Sequence, residues 1–294
     1  MNEVTFNIGG VPEHFNLPWH LAMQQGLFEQ EGIKLNWREY PGGTGAMAKD
    51  LRSGDLDIAV LLTEGIVADI AKGNPSKIIS LFVASPLIWG IHVPAQSAFQ
   101  AVADLEGKRV AISRLGSGSH LMAFVNASQQ GWNHDELELV LIGDLDGARE
   151  AFKNNKADVF MWEKFMTKPL VDKGEFRRVG ECPTPWPCFV IAARQETIDQ
   201  HTGALQKLLT VIHQANQNFM LNPQAAQMVA EQFNLKPEDA ATWLASTRWA
   251  TDATTPLDML QQITSTLHAL KLIDTKPEPT ALVANLTGVQ NSSF

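Results

Sequence analysis

Cysteine is almost missing: Cys182 and Cys188 are the only two in 294 residues, and they flank a turn with three prolines, CPTPWPC. Two cysteines are too few for a disulfide scaffold, and their spacing matches no zinc motif. They read as unpaired small residues near a loop, with a local disulfide open only if the prolines let their Cα atoms come within reach. Basic clusters are missing as well, and the net charge is -9. The phosphates of a nucleic acid would be repelled, and no basic amphipathic helix offers itself to a membrane surface. No apolar run approaches the roughly 20 residues that a bilayer crossing requires. The opening MNEVTFNIGGVPEHF lacks a basic stretch followed by an apolar core, so it is no signal peptide. A cytoplasmic location is expected if Met1 is native, a periplasmic one if a signal was removed.

Familiar catalytic and nucleotide-binding signatures are absent too. In RLGSGSHL, a dinucleotide fingerprint fails because position 121 is Leu, and a nucleophile elbow fails because position 115 is Leu. A P-loop lacks its Gly-Lys-Ser/Thr. His14 and His20 flank the first turn without any metal-ligand spacing. No catalytic set, metal or cofactor is expected.

What is present is a 45% hydrophobic, 19% charged chain, long enough for two lobes. Short apolar runs alternate with helical patterns to about residue 195, which predicts βαβ units and parallel sheet. VTFNIGG, IKLNWREY and DLDIAVLL read as strands of one half; KRVAISR, ELELVLIG and ADVFMW read as strands of another. KIISLFVAS and LIWGIHVP are extended stretches between the halves. DLRSGDLDIAVLLTEG answers AFKNNKADVFMWEKF, a weak internal repeat that sets Glu163 against Glu64. Beyond Glu196 the pattern is helical, with prolines opening the later helices, and the tail after Ile273 is irregular.

Loops at the carboxyl ends of parallel strands line the ligand crevice of an open α/β sheet. That rule nominates His14 and Phe15 after the first strand, Thr44 after the second, and Thr63 with Glu64 after the third. In the second half it nominates Ser117, Ser119 and His120 at a helix N-terminus, where N–H groups and hydroxyls can bind anions or polar oxygens or merely cap the helix. It also nominates Trp162 and Glu163 after a strand. Trp89 and Trp186 lie where the chain passes between halves and offer flat faces for stacking. Each of these residues has a bland reading, as core aromatic, cap or helix-dipole carboxylate.

The stretches LAMQQGLFEQEGIKLNWREYPGGTGAMAKDLRSGDLDIAV and VADLEGKRVAISRLGSGSH resemble type II periplasmic binding proteins. The likeness is to the sulfonate, taurine and thiamine-pyrimidine-precursor branch of ABC-transporter solute receptors, and within it to a subgroup without signal peptides. The resemblance implies a two-lobed α/β fold, each lobe a mostly parallel sheet flanked by helices, plus C-terminal helices. Lobe 1 would take residues 1–90 and 188–294, lobe 2 residues 91–187, with hinges near 85–94 and 184–192. It further implies a monomer that closes on a small molecule between the lobes, with an ABC permease as possible partner. If Glu64 and Glu163 are both ionised there, an anion is opposed by roughly 4 kcal/mol at about 4 Å. An amino-heterocycle such as a pyrimidine then fits better than taurine. The competing expectation is a cytoplasmic enzyme on the same fold, menaquinone- or thiamine-pathway-like.

Overall fold

In the central strands the burial pattern follows the apolar pattern. The computed structural model of the protein describes residues 3–286. Its strands are β1 (Val4–Gly10), β2 (Ile33–Glu39), β3 (Ile58–Leu62), β4 (Ser76–Val83), β5 (Ile88–Pro94), β6 (Arg109–Ile112), β7 (Glu138–Leu141), β8 (Val159–Glu163), β9 (Phe176–Pro183) and β10 (Phe189–Arg194). The continuous runs IAVLL of β3 and FVIAA of β10 are buried almost throughout, as a strand covered on both faces must be. IKLNWRE of β2 alternates and is largely wet, and β2 is an edge strand.

The helices are α1 (Leu17–Gln24), α2 (Leu27–Gln30), α3 (Thr44–Ser53), α4 (Thr63–Ala71), α5 (Gly118–Gln130), α6 (Leu145–Lys153), α7 (Lys168–Asp172), α8 (Gln195–Leu221), α9 (Ala225–Phe233), α10 (Pro237–Ser246), α11 (Leu257–Ala269) and α12 (Pro279–Leu282). Of the prolines expected to open helices, Pro237 sits at the first helical position of α10, while Pro223 and Pro256 fall just before α9 and α11. α8 is kinked at His201, whose φ of -134° leaves the helical range.

The chain divides into two units, each with its own core. Unit 1 takes the chain up to Ser85 and again from Trp186; unit 2 is Pro86–Pro185. Unit 1 holds a five-stranded sheet in the order β2-β1-β3-β10-β4, and unit 2 one in the order β7-β6-β8-β5-β9. In unit 1, β1 is parallel to β2 and β3, while β10 is antiparallel to β3 and β4. In unit 2, β6 is parallel to β7 and β8, while β5 is antiparallel to β8 and β9. Each sheet is thus four strands one way and one the other. The odd strand is in both cases the first after the chain has crossed from the other unit.

The repeat has a register that the hydrogen bonds define. Asp57 N donates to Asn7 O and Asp57 Oδ2 accepts from Asn7 N (2.9 and 2.8 Å). Asp158 makes the same exchange with Arg109 (2.9 and 3.0 Å). Asp57 therefore answers Asp158, and Leu62 answers Glu163. Glu64 lies two residues further on than Glu163, so the alignment that set the two glutamates opposite one another is shifted by two positions.

β9, β10 and α7 are absent from the sequence reading, which gave residues 184–192 to a hinge. FRRVGECP of β9 is half polar and only partly buried, an edge strand that its pairing with β5 holds in place. Both cysteines are buried and neither is in a disulfide; Cys182 lies in unit 2 and Cys188 in unit 1.

Candidate functional site

In unit 1, two helices begin beside one another at the carboxyl end of the parallel strands. Thr44 opens α3 and Thr63 opens α4. Thr44 Oγ1 accepts from the Leu62 N–H (3.1 Å), tying the start of α3 to the end of β3. The approach requires glycine at position 65: a Cβ there would stand 2.5 Å from Thr44 Cγ2. Thr63 is fully buried and turns the other way. Its N–H donates to Cys188 O (2.9 Å) and its hydroxyl to Pro187 O (2.8 Å).

Glu64 is buried at 1% exposure. Its Oε2 accepts from Trp186 Nε1 at 2.9 Å, and its Oε1 has no partner among the described residues. Burial without a cation pushes the carboxyl up to about 7, more than the bonds from its own backbone and from Trp186 pull it down. Near neutral pH the group is therefore divided between acid and carboxylate. Trp186 is buried with it rather than presenting an open face.

The loop after β1 supplies a different surface. His14 is fully buried and stacks on Trp243 at 4.2 Å and 10°, with Phe15 edge-on at 4.9 Å. Phe15 in turn meets Phe189 at 5.1 Å and accepts from Trp249 Nε1 at its carbonyl. Burial lowers His14 to about 3, so it is neutral. Glu13 beside it is partly exposed as a residue, yet burial raises its carboxyl to about 7. Neither Glu13 nor Phe189 was nominated from the sequence. Phe189 could have been found by the repeat, since it pairs with Leu62 as Trp89 pairs with Glu163.

In unit 2 the start of α5 gathers hydroxyls. Ser117 is the N-cap, its Oγ accepting from His120 N (3.2 Å). Ser119 Oγ accepts from Ser113 N (2.9 Å) and lies 3.0 Å from Ser117 Oγ and 3.2 Å from Ser113 Oγ. His120 accepts from Gly116 N at Nδ1 (3.0 Å) and meets Phe124 edge-on. Arg114, partly buried in the same loop, has its pKa lowered by burial. Glu163 Oε2 accepts from the N–H groups of Phe165 and Met166 (2.8 and 2.7 Å), capping the turn after β8. Trp162 stacks on Phe160 at 5.3 Å and meets Trp89 edge-on at 6.4 Å; Trp89 is buried, with Nε1 unpartnered among the described residues.

The structure thus joins Thr44, Thr63, Glu64 and Trp186 in one cluster of unit 1, and places His14 and Phe15 in an aromatic packing beside α10. In unit 2 it joins Ser117, Ser119 and His120, and separately Trp89, Trp162 and Glu163. A groove of about 750 Å3 on unit 2 lies elsewhere; its lining includes none of these residues, and its Arg149 is already paired with Asp146 and Glu175. Among the described residues no helix is long and apolar enough to cross a membrane, and no cluster of three or more metal-binding side chains occurs.

Comparison with known proteins gives a consistent picture. A family model described as Ca3427-like PBP matches residues 89–182. The Candida albicans CA3427 gene product, described as having the generic periplasmic-binding-protein fold, superposes with a TM-score of 0.87 at 25% identity, covering 96% of each chain. The alkanesulfonate-binding protein SsuA from Xanthomonas axonopodis pv. citri, bound to MOPS, superposes with a TM-score of 0.81 at 19% identity, covering 97% of this chain and 99% of that one. A Bacillus subtilis (strain 168) protein whose name assigns it to aliphatic sulfonate binding is 26% identical over 204 residues, 67% of this chain. The chain spans 60% of the length of that relative and 44% of an Escherichia coli (strain K12) counterpart that is 27% identical over 145 residues.

Proposed function

We propose that this chain, which has the type II periplasmic-binding-protein fold and matches the Ca3427-like family over residues 89–182, is a solute-binding protein for a small polar molecule carrying N–H donors. Solute binding follows from the fold and the relatives together; the ligand class rests on the chemistry of the chain's own residues. The observation that carries it is Glu64: a buried carboxyl with one oxygen held by Trp186 and the other without a partner among the described residues. A buried acceptor is costly to leave unmatched, and an amino group of a heterocycle such as an aminopyrimidine supplies the match. Closure of the two units over it, and delivery to an ABC permease, belong to this proposal by analogy with relatives such as the ligand-binding component of an ABC-type import system from Staphylococcus aureus.

A second reading is a sulfonate, favoured by the names of the relatives and by the serine cluster with Arg114 in unit 2. The opposition of two carboxylates to an anion, expected from the sequence, is weakened by the state of both groups. Glu64 is a neutral acid for part of its population near pH 7, and Glu163 already accepts two N–H bonds.

The two readings differ in the sign of a pH effect. An N–H donor prefers ionised Glu64, so its affinity rises as pH climbs through about 7; an anion prefers the protonated acid, so its affinity falls. Between pH 6 and 8 the ionised fraction changes about tenfold, which sets the size of either effect. Calorimetric titration with 2-aminopyrimidine and with ethanesulfonate, neither of which changes charge in that range, tests the choice. Tighter 2-aminopyrimidine binding at pH 8 supports the amino-heterocycle reading. Binding of ethanesulfonate alone, weakening with pH, overturns it.

A further inference from the structure

Three successive residues of unit 1, Trp186, Pro187 and Cys188, carry the chain back from unit 2, the division falling between Pro185 and Trp186. Two successive residues at the start of α4 hold all three of them. Thr63 N–H donates to Cys188 O (2.9 Å), Thr63 Oγ1 to Pro187 O (2.8 Å), and Trp186 Nε1 to Glu64 Oε2 (2.9 Å). Cys188 N–H donates in turn to Ser85 O (3.1 Å), the last residue of unit 1 before the outward crossing.

The two bonds of Thr63, one from its N–H and one from its hydroxyl, need nothing from a ligand. The Glu64 bond is different, because its carboxyl has two oxygens and only one is committed. Among the described residues no charged group is paired with it. Whatever meets Oε1 alters the acceptor strength of Oε2: a ligand N–H stabilises the carboxylate, and a charge-assisted bond is roughly twice as strong as a neutral one.

We propose that Glu64 is the positioning residue of the return crossing: one carboxylate oxygen meets the ligand and the other fixes Trp186, so that occupancy of the site tightens the hold of α4 on residues 186–188. The ligand half of this rests on the function proposed above; the hold on Trp186 does not. Residues 186–188 are where the chain re-enters unit 1, so a bond at this position links the proposed ligand contact to the segment that joins the two units.

The test is amide hydrogen exchange on the full chain, read at Thr63, whose N–H is released when the crossing lifts from α4, and at Cys188, whose N–H is released when the crossing parts from Ser85. Trp186→Phe keeps an aromatic ring, though a smaller one, and removes the donor; Glu64→Gln keeps an acceptor oxygen. Exchange at both amides is expected to rise about tenfold in Trp186→Phe, the usual scale for losing one buried hydrogen bond to a charged group, and about threefold in Glu64→Gln, whose neutral oxygen keeps roughly half of the strength of the bond. Added 2-aminopyrimidine is expected to slow both amides in wild type but not in Trp186→Phe, although the latter keeps the Glu64 carboxyl; a merely structural contact would not respond to it. Wild-type exchange in Trp186→Phe overturns the proposal, as does binding of 2-aminopyrimidine that leaves the two amides unchanged in wild type. If 2-aminopyrimidine does not bind at all, the ligand reading fails, and the ligand-free comparison still decides whether Glu64 holds the crossing.

Discussion

Glu64 carries a cost that can be measured by replacing it with glutamine. Its carboxyl is raised from 4.5 to about 7 by burial, so the folded state holds the proton more tightly than the unfolded chain. The stability that goes with this is fully present below about pH 4.5, declines as pH rises, and is gone above about pH 7. A shift of this size corresponds to about 3 kcal/mol, since each pKa unit is worth 1.36 kcal/mol. Most of that falls between pH 5 and 8. Glu64→Gln removes the titration and keeps an oxygen for Trp186, so its unfolding free energy should lose between about 2 and 3 kcal/mol less than wild type over the same interval. Comparing the two proteins matters, because Glu13 titrates over a similar range in both. Urea unfolding at pH 5 and pH 8, monitored by tryptophan fluorescence, gives the two free energies. Parallel pH profiles would refute the argument, for they would mean that Glu64 is ionised at ordinary cost and its free oxygen is solvated.

Two further substitutions probe the framework of each cluster. Gly65→Ala should destabilise by about 1 to 3 kcal/mol, because its Cβ would meet Thr44 Cγ2 at 2.5 Å; adding Thr44→Ser, which deletes that methyl and keeps the hydroxyl, should restore most of the loss in chemical denaturation, and no restoration would place the strain elsewhere. Ser119→Ala should cost about 1 to 3 kcal/mol by leaving the buried Ser113 N–H without its acceptor, visible as a lower melting temperature, and an unchanged melt would show that water replaces the hydroxyl.

The parts of the fold that were legible in the sequence are those where one short segment decides its own state. IAVLL, short and apolar throughout, reads as a strand covered on both faces, and the expectation of mostly parallel sheets comes from the spacing between such runs. β9 was illegible because FRRVGECP has no strong pattern and depends on β5, some ninety residues earlier in the chain, for its pairing. The strand-end rule nominated Thr63 and Glu64 as crevice contacts; they lie at the start of α4, and the rule could not supply their partners. Trp186 is 122 residues from Glu64, and neither periodicity nor a local motif encodes a contact of that span. The same holds for His14, whose stacking on Trp243 depends on where α10 packs.

The repeat explains why the two glutamates looked equivalent and why they are not. Duplicated topology fixes where a strand ends: Asp57 and Asp158 make the same exchange with the neighbouring strand, so β3 and β8 stop at matching positions, Leu62 and Glu163. It leaves the segment after each strand free to differ. In unit 1 the next two residues open a helix of nine residues, which turns Glu64 inward to Trp186. In unit 2 the chain makes a turn instead, and Glu163, still on the strand, spends one oxygen on the N–H groups of Phe165 and Met166. A carboxyl that caps its own turn has its hydrogen bonds supplied locally; a carboxyl with an unmatched buried oxygen does not. Of the pair that the sequence nominated together, Glu64 is therefore the one with capacity left for a ligand, and substituting it should alter binding more than substituting Glu163 does.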